Sequence, residues 1–282
     1  MIANKYKLIE KIKEGAFGII FKGEHVRTRE LVAIKFEPKN TDKKTLKNEA
    51  KLYQYFGRIE GFPQLKWFGT NEHAHYLVME LLGFSLTEMI NHYKGFCLKT
   101  VLLLGIQIIK KIQILHEMYL VHRDIKPDNF LFGLGIVTNK LHLIDFGISK
   151  RYNFDGVHIP ETKLHNLIGT PNFVSLNVHN NIEPSRRDDL ESGIYIIIYM
   201  LFGKLEWDVT NYTINQIYTL KLNIHTNNKL PSFINSMLYY VRCLTFDETP
   251  DYNYINNLMV TVVNKNGYID DNRFEWNITQ HV

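Results

Sequence analysis

Cysteine is scarce in this chain. Cys97 and Cys243 are the only two in 282 residues, and neither sits in a CxxC spacing or beside a Cys/His cluster. That excludes a structural zinc site of the usual spacing and a disulfide framework, and it points to a reducing compartment. Long apolar runs are also missing. The longest, Ile194 to Phe202, falls far short of the roughly 20 residues that span a bilayer, so it reads as a buried helix and no membrane association is expected. The opening residues MIANKYKLIEKIKEG have no apolar core of the secretory type, so no leader is expected. Charge of a single sign is absent too. Lys and Arg number 33 against 29 Asp and Glu, a formal net charge of +4. Such a small basic excess suits an acidic ligand, a nucleotide phosphate or an acidic peptide, but gives no ground for nucleic-acid binding. Internal repeats and low-complexity segments are lacking.

What is present divides into two textures. Hydrophobic residues make up 45% of the chain, enough for a substantial core. Residues 6–80 hold short β-rich runs: Tyr6–Ile12, Ile19–Glu24, Leu31–Glu37, Trp67–Thr70 and His75–Met79. One helix over about Lys43–Phe56 interrupts them, with Leu46, Ala50 and Tyr53 at helical spacing. From Leu81 the pattern is mostly helical, with helices predicted over Thr100–Met118, Arg187–Phe202, Thr213–Leu222, Pro231–Thr245 and Asp251–Val263. Gly83 and Asn91–Gly95 punctuate the start of this part. The expected fold is α+β and bilobal, a small β-rich lobe over 1–80 and a larger helical lobe over 81–282, joined near Glu80–Gly83 into one functional domain. A groove between two such lobes is a natural place for a small ligand.

Several short strings carry chemistry. Ile12–Ile20 reads IKEGAFGII. Gly15 and Gly18 would let the backbone approach a phosphate closely, although a glycine pair of this kind more often makes a plain hairpin. Val32-Ala33-Ile34-Lys35 ends an apolar strand on a lysine, which must reach solvent or meet an anion. Glu49 on the following helix can pair with it. The densest polar cluster is His122-Arg123-Asp124-Ile125-Lys126-Pro127-Asp128-Asn129, and Asp145-Phe146-Gly147 follows it after the apolar run Leu141–Ile144. In this order the strings match a catalytic loop and a metal-binding loop for phosphoryl transfer. The residue types fit that chemistry. Asp145 is a hard oxygen ligand for Mg²⁺, and Asn129 offers a neutral oxygen to a second Mg²⁺. Asp124 can orient an attacking hydroxyl and accept its proton. Lys126 can neutralise the transferring phosphate, and Lys35 can fix the α- and β-phosphates of ATP.

Beyond these strings the chain resembles the casein kinase 1 family of Ser/Thr protein kinases over almost its whole length. The residues that carry the likeness are Met79-Glu80-Leu81-Leu82-Gly83 with Ser85-Leu86, HRDIKPDNFLFG at 122–133, His158-Ile159-Pro160, Asn166-Leu167 with Gly169-Thr170, and Ser175-Leu176-Asn177 in place of the Ala-Pro-Glu of most kinases. Arg186-Arg187-Asp188-Asp189-Leu190-Glu191-Ser192, Trp207, Phe246-Asp247 with Pro250-Asp251-Tyr252, and Phe274-Glu275-Trp276 complete it. The resemblance implies transfer of the ATP γ-phosphate to Ser or Thr of protein substrates. It implies that Met79 guards the back of the adenine pocket, that backbone groups of Glu80 and Leu82 bind adenine, and that Ile12, Ile20, Ala33, Leu131 and Ile144 form apolar walls. It makes Asp189 a brace for the catalytic loop, where a helix cap is the simpler alternative. A monomer is expected, in the cytoplasm and the nucleus, or in the host cytoplasm for a viral chain.

Departures from the family pattern set further expectations. Lys13 stands where the first glycine of the nucleotide loop is usual, so ATP affinity is expected to change. The family's basic pocket for phosphorylated substrates has lost its arginine in Gly169-Thr170-Pro171-Asn172-Phe173, and a basic stretch after Trp207 is replaced by residues 208–216. Recognition of a phosphorylated priming residue is therefore expected to weaken, leaving Lys150, Arg151 and Lys163 to attract acidic peptides. The chain lacks the long tail that restrains family members, and Ser149, Thr162 and Thr170 in the segment 148–171 form no obvious switch, so constitutive activity is expected. The rival reading is a pseudokinase scaffold, which would have little reason to keep Lys35, Glu49, Asp124, Lys126, Asn129 and Asp145 together.

Overall fold

A computed structural model describes residues 2–15, 18–40, 45–135, 139–226 and 230–278. The predicted Ala16, Phe17, Lys43 and Lys44 of the loop and first helix lie outside these. The architecture is α+β, with two compact units.

The first unit comprises residues 1–84 and 131–148. Its centre is an antiparallel five-stranded sheet in the order β1-β2-β3-β5-β4, built from β1 (Tyr6–Gly15), β2 (Gly18–His25), β3 (Leu31–Pro38), β4 (Leu65–Thr70) and β5 (Ala74–Glu80). Register decides which side chains share a face, because alternate residues of a strand point the same way. Ile34 lies between Phe21 and Val78 on adjacent strands, and Val32, Ile34 and Val78 pack with Ile2 and Tyr6. The opposite face takes the next residues along. Lys35 pairs with Ile20 and Leu77, and Ala33 with Lys22 and Met79. The sheet thus separates a closed apolar cluster from a face that carries the lysine.

Helix α1 (Leu46–Phe56) covers the lysine-bearing face with Glu49, Ala50 and Tyr53 buried. Its first turn has an unusual cap. The Thr45 side chain makes no capping bond; instead the buried Glu37 of β3 accepts from the Thr45 and Leu46 amides at 2.9 and 3.1 Å. A carboxylate there satisfies orphan N–H groups and complements the helix dipole. Two short strands, β7 (Phe130–Phe132) and β8 (Leu141–Leu143), pair with each other, and β8 leads directly into Asp145.

The second unit comprises residues 85–130 and 149–278. Its core is α3 (Leu98–Glu117) packed against α5 (Arg186–Phe202) and α8 (Tyr252–Lys265), with α7 (Ser232–Cys243) on α5 and α8. Between Arg186 and Met200 α5 is buried on nearly every side, which accounts for its apolar run without a membrane; no helix among the described residues is long and apolar enough to cross one. Helix α2 (Leu86–Tyr93) opens with a full capping box from Ser85 and Glu88, a signal that the sequence reading passed over in favour of the punctuation around it. The remaining elements are α4 (Leu176–His179), α6 (Ile214–Leu222), α9 (Glu275–Ile278), 3-10 turns at Pro127–Asn129 and Ile224–Thr226, and the short pairs β6 (Leu120–Val121) with β9 (Lys150–Arg151) and β10 (Asn153–Phe154) with β11 (Val157–His158).

Helix α5 stops at Gly203, whose φ of +68° is left-handed and where a Cβ would come within 2.3 Å of the Lys94 carbonyl oxygen. Gly203→Ala should therefore destabilise the fold by more than about 1 kcal/mol, read as a lower urea midpoint at unchanged slope.

Candidate active site

The first unit assembles a buried trio. The Lys35 ammonium lies 2.8 Å from Glu49 Oε2 and 2.8 Å from Asp145 Oδ1. Each partner is placed by a different element: Lys35 by the sheet register, Glu49 by a helix whose first turn is capped from the neighbouring strand, and Asp145 by the end of β8. Asp145 has a left-handed φ of +66°, and its N–H donates to the Tyr53 hydroxyl at 3.1 Å. The next residue fixes the turn. Phe146 is buried against Tyr53, Phe56 and Phe62, with ring centroids 5.2, 4.6 and 5.9 Å away. With the phenyl ring held in the apolar cluster, the Asp145 side chain faces the lysine.

Burial alone would push the Lys35 ammonium down, but Glu49 and Asp145 outweigh it and its pKa is raised. Burial raises Glu49, with the Asp145 charge adding and Lys35 opposing. Two carboxylates facing one ammonium leave the trio formally one negative charge in excess, and Glu49 Oε1 is buried with no hydrogen-bond partner among the described residues. The Asp145 side chain keeps 21% exposure. An excess of negative charge with one accessible carboxylate suits a divalent cation that brings its own phosphate and water ligands, as Mg²⁺ does. Among the described residues no group of three or more His, Cys, Asp or Glu is placed to hold a metal ion.

The residues expected as adenine walls are not core. Ile20, Ala33, Leu131 and Ile144 are all half-buried, and Ile12 is 51% exposed. That leaves apolar surface on the first unit that simple core packing does not use. Met79, by contrast, is buried. The Glu80 N–H already donates to the Gln64 carbonyl at 3.0 Å, so only its carbonyl can serve a ligand. Leu82 makes no backbone hydrogen bond among the described residues. Gly15 and Gly18 form the last rung between β1 and β2. A Cβ on Gly18 would come within 2.3 Å of the Phe36 carbonyl oxygen, so the fold itself demands glycine there. Lys13 is paired with Ile20 and therefore belongs to the strand face of Lys35.

The second unit assembles the other polar cluster. Asp124 is almost fully buried, with Oδ2 at 2.6 Å from Lys126 Nζ and Oδ1 accepting from the Thr170 hydroxyl at 2.7 Å. Lys126 Nζ also donates to Thr170 Oγ1 at 3.0 Å. Asn129 donates through Nδ2 to the Asp124 carbonyl at 2.9 Å, which fixes the side chain and turns its oxygen away from that bond. Thr170 was expected neither as a switch nor as a site residue; nothing local in its string reveals that it closes this triangle.

Asp189 holds the loop. Its two oxygens accept from the His122 and Arg123 amides at 2.6 and 3.0 Å, and His116 Nε2 lies 3.1 Å away. The helix cap is its neighbour Asp188, whose Oδ2 accepts from the Ser185 amide at 2.8 Å. Burial would raise the Asp189 carboxyl, but the His116 contact and the His122 amide more than offset it, and its pKa is lowered. Burial lowers His116, with Asp189 opposing. A neutral imidazole satisfies both contacts, donating from Nε2 to Asp189 and accepting at Nδ1 from the Tyr252 hydroxyl at 2.7 Å. Glu183, also missed from sequence, is buried with Oε1 at 3.3 Å from Arg123 Nη1 and Oε2 at 3.0 Å from Lys150 Nζ.

The sign of the pH dependence follows. The unfolded chain protonates His116 near its ordinary value of 6.5 while the folded chain resists it, so its contribution is present above that pH and lost as the pH falls. Asp189, depressed in the folded state, has the same sign at lower pH. Wild type should lose stability relative to His116→Gln as the pH drops from about 7.5 to about 5, measured as urea midpoints; a constant difference across that range would refute it.

With both clusters described, comparison with known families adds a finding: the protein kinase domain model matches residues 6–252. That span contains both strands of the loop hairpin, the Lys35 trio and the Asp124 cluster. The chain belongs to the protein kinase domain family.

Proposed function

We propose that this protein kinase is a Ser/Thr kinase of the casein kinase 1 type, active without modification of its own chain and weak in recognising phosphorylated substrates. The observation that carries the reading is the closed triangle of Asp124, Lys126 and Thr170. Asp124 would accept the proton of the substrate hydroxyl, a role worth about 10²–10⁴ in rate for a positioned base. Lys126, two residues on, would neutralise the phosphate as it transfers; that spacing is the one the family uses for Ser and Thr acceptors. Lys35 would hold the α- and β-phosphates of ATP, itself fixed by Glu49. Half-buried Ile20, Ala33, Leu82, Leu131 and Ile144 would receive adenine, with Ile12, Gly15 and Gly18 above the nucleotide. Asp145 would hold one Mg²⁺, and Asn129 would offer its oxygen to a second. Bound Mg²⁺ neutralises phosphate charge and aligns the leaving group.

Glu183 supports the remaining parts of the proposal. Many kinases need an added phosphate to neutralise cations beside the catalytic loop. Here a buried carboxylate from the chain already pairs with Arg123 and Lys150. Those same cations are then poor receptors for a substrate phosphate, and of the basic residues expected to attract acidic peptides, Arg151 and Lys163 keep exposed positions.

Labelled γ-phosphate transfer to casein with Mg²⁺ tests the enzyme. Wild type, treated first with phosphatase, is expected to label Ser and Thr at the untreated rate, with Asp124→Asn reduced about 10²-fold or more. Equal signal in both, or none in either, would favour the scaffold reading. Turnover of a phosphorylated peptide beside its unphosphorylated twin tests substrate choice. Similar kcat/KM for the two is expected; a strong preference for the phosphorylated form contradicts the weakened anion pocket.

A further inference from the structure

Lys221 is an anomaly by composition alone. It lies on α6 with no exposed surface, and lysine is almost never fully buried unless its charge is met. All three directions of its amine are taken. Nζ donates to the Pro171 carbonyl at 2.8 Å and to the Val174 carbonyl at 2.7 Å, and it lies 3.2 Å from His179 Nε2. Aromatic faces enclose the rest, with the ring centroids of Tyr195 and Trp207 at 4.8 and 5.7 Å. A second donor works alongside. Trp207 Nε1 donates to the Asn172 carbonyl at 2.8 Å. Three carbonyls within four consecutive residues, 171, 172 and 174, are therefore held by side chains from beyond α5.

The other end of the same segment is held at the Asp124 cluster. Thr170 bonds Asp124 and Lys126 through its hydroxyl, and its carbonyl accepts from the Phe173 and Val174 amides at 2.8 and 3.0 Å. Gly169 has a φ of +100°, and a Cβ there would come within 2.6 Å of the Arg123 carbonyl oxygen. Residues 169–174 thus run as a short strap, with one end on the base and the other on a buried amine.

We infer that Lys221 is a positioning residue for phosphoryl transfer, a clamp on the segment 171–174 that sets where Thr170 meets Asp124 and Lys126. The inference rests on the function proposed above and adds a residue that touches none of the reacting groups. The clamp does not depend on one protonation state. Burial pushes the amine well below the ordinary lysine value, with Glu191 opposing. As an ammonium it donates to His179 Nε2; as an amine it accepts from that nitrogen; both carbonyl bonds persist either way. An apolar side chain would fill the space without the desolvation cost but would leave the Pro171 and Val174 carbonyls without this donor.

Lys221→Met keeps the length and removes the donor. In folded variant protein, confirmed by an unaltered thermal shift on adding ATP, kcat for a peptide substrate should fall at least tenfold and the peptide KM should change, while the KM for ATP stays constant. A purely structural lysine would lower the folded fraction and leave kcat per active molecule and both KM values as they were, which overturns the inference. If Lys221→Met does not fold, Trp207→Phe removes only the Nε1 donor and should shift the same two parameters in the same direction, by less. Amide exchange at Phe173 and Val174 reads the strap without turnover. Faster exchange there, with α5 still protected, is expected in the variant; unchanged exchange in a folded variant overturns the clamp even if wild type transfers no phosphate. An inactive wild type with the exchange effect intact would instead overturn the proposed function and leave the clamp standing.

Discussion

The helical unit depends on one buried anion. Asp189 is fully enclosed, and a carboxylate in such a place is tolerable only when strong donors surround it. Those donors are two consecutive backbone amides, His122 and Arg123, and the ring of His116. Because the amides belong to the loop and the carboxylate to α5, neither can move without exposing the other to an unmet charge. The loop is thereby pinned at its first residues, Arg123 is held at a left-handed φ of +72°, and Asp124 leaves the pin in a set direction. Polar burial here gives position more than stability, since leaving one partner unmet costs far more than the pair gains.

The sheet unit solves a similar problem by other means. Lys35 emerges from a strand whose alternate residues are sealed into an apolar cluster, so its register is fixed by what lies on the opposite face. Glu49 comes from a helix that begins on the Glu37 carboxylate of the same strand. One strand therefore supplies the ammonium and also anchors the helix that carries its counter-ion. Phe146 adds the third constraint through aromatic contacts of 4.6 to 5.9 Å, which hold the ring and leave its neighbour Asp145 facing the lysine.

Sequence reading recovered what local pattern encodes. Alternation in Leu31–Glu37 and the long apolar stretch of α3 translate directly into elements because periodicity is a property of neighbours in the chain. The strings around Asp124 and Asp145 were legible because the motif is contiguous. What escaped were polar contacts between distant segments. Glu183 lies 60 residues from Arg123, Lys221 lies 50 from Pro171, and Thr170 lies 46 from Asp124; a lone Glu, Lys or Thr in a helix or loop carries no local mark of such a partner. Gly18 was read for ligand approach, and its closest neighbour is the backbone of β3, a clash visible only once the strands are paired. Local signals were overlooked as well: Ser85 and Glu88 form a regular capping box at the start of α2, and Ser175 caps α4.

Glu183 has a consequence of its own. A counter-ion that belongs to the polypeptide is present from the moment the chain folds, and no hydrolytic enzyme can strip it away. Arg123 and Lys150 therefore have their counter-ion without any phosphate being added to the chain.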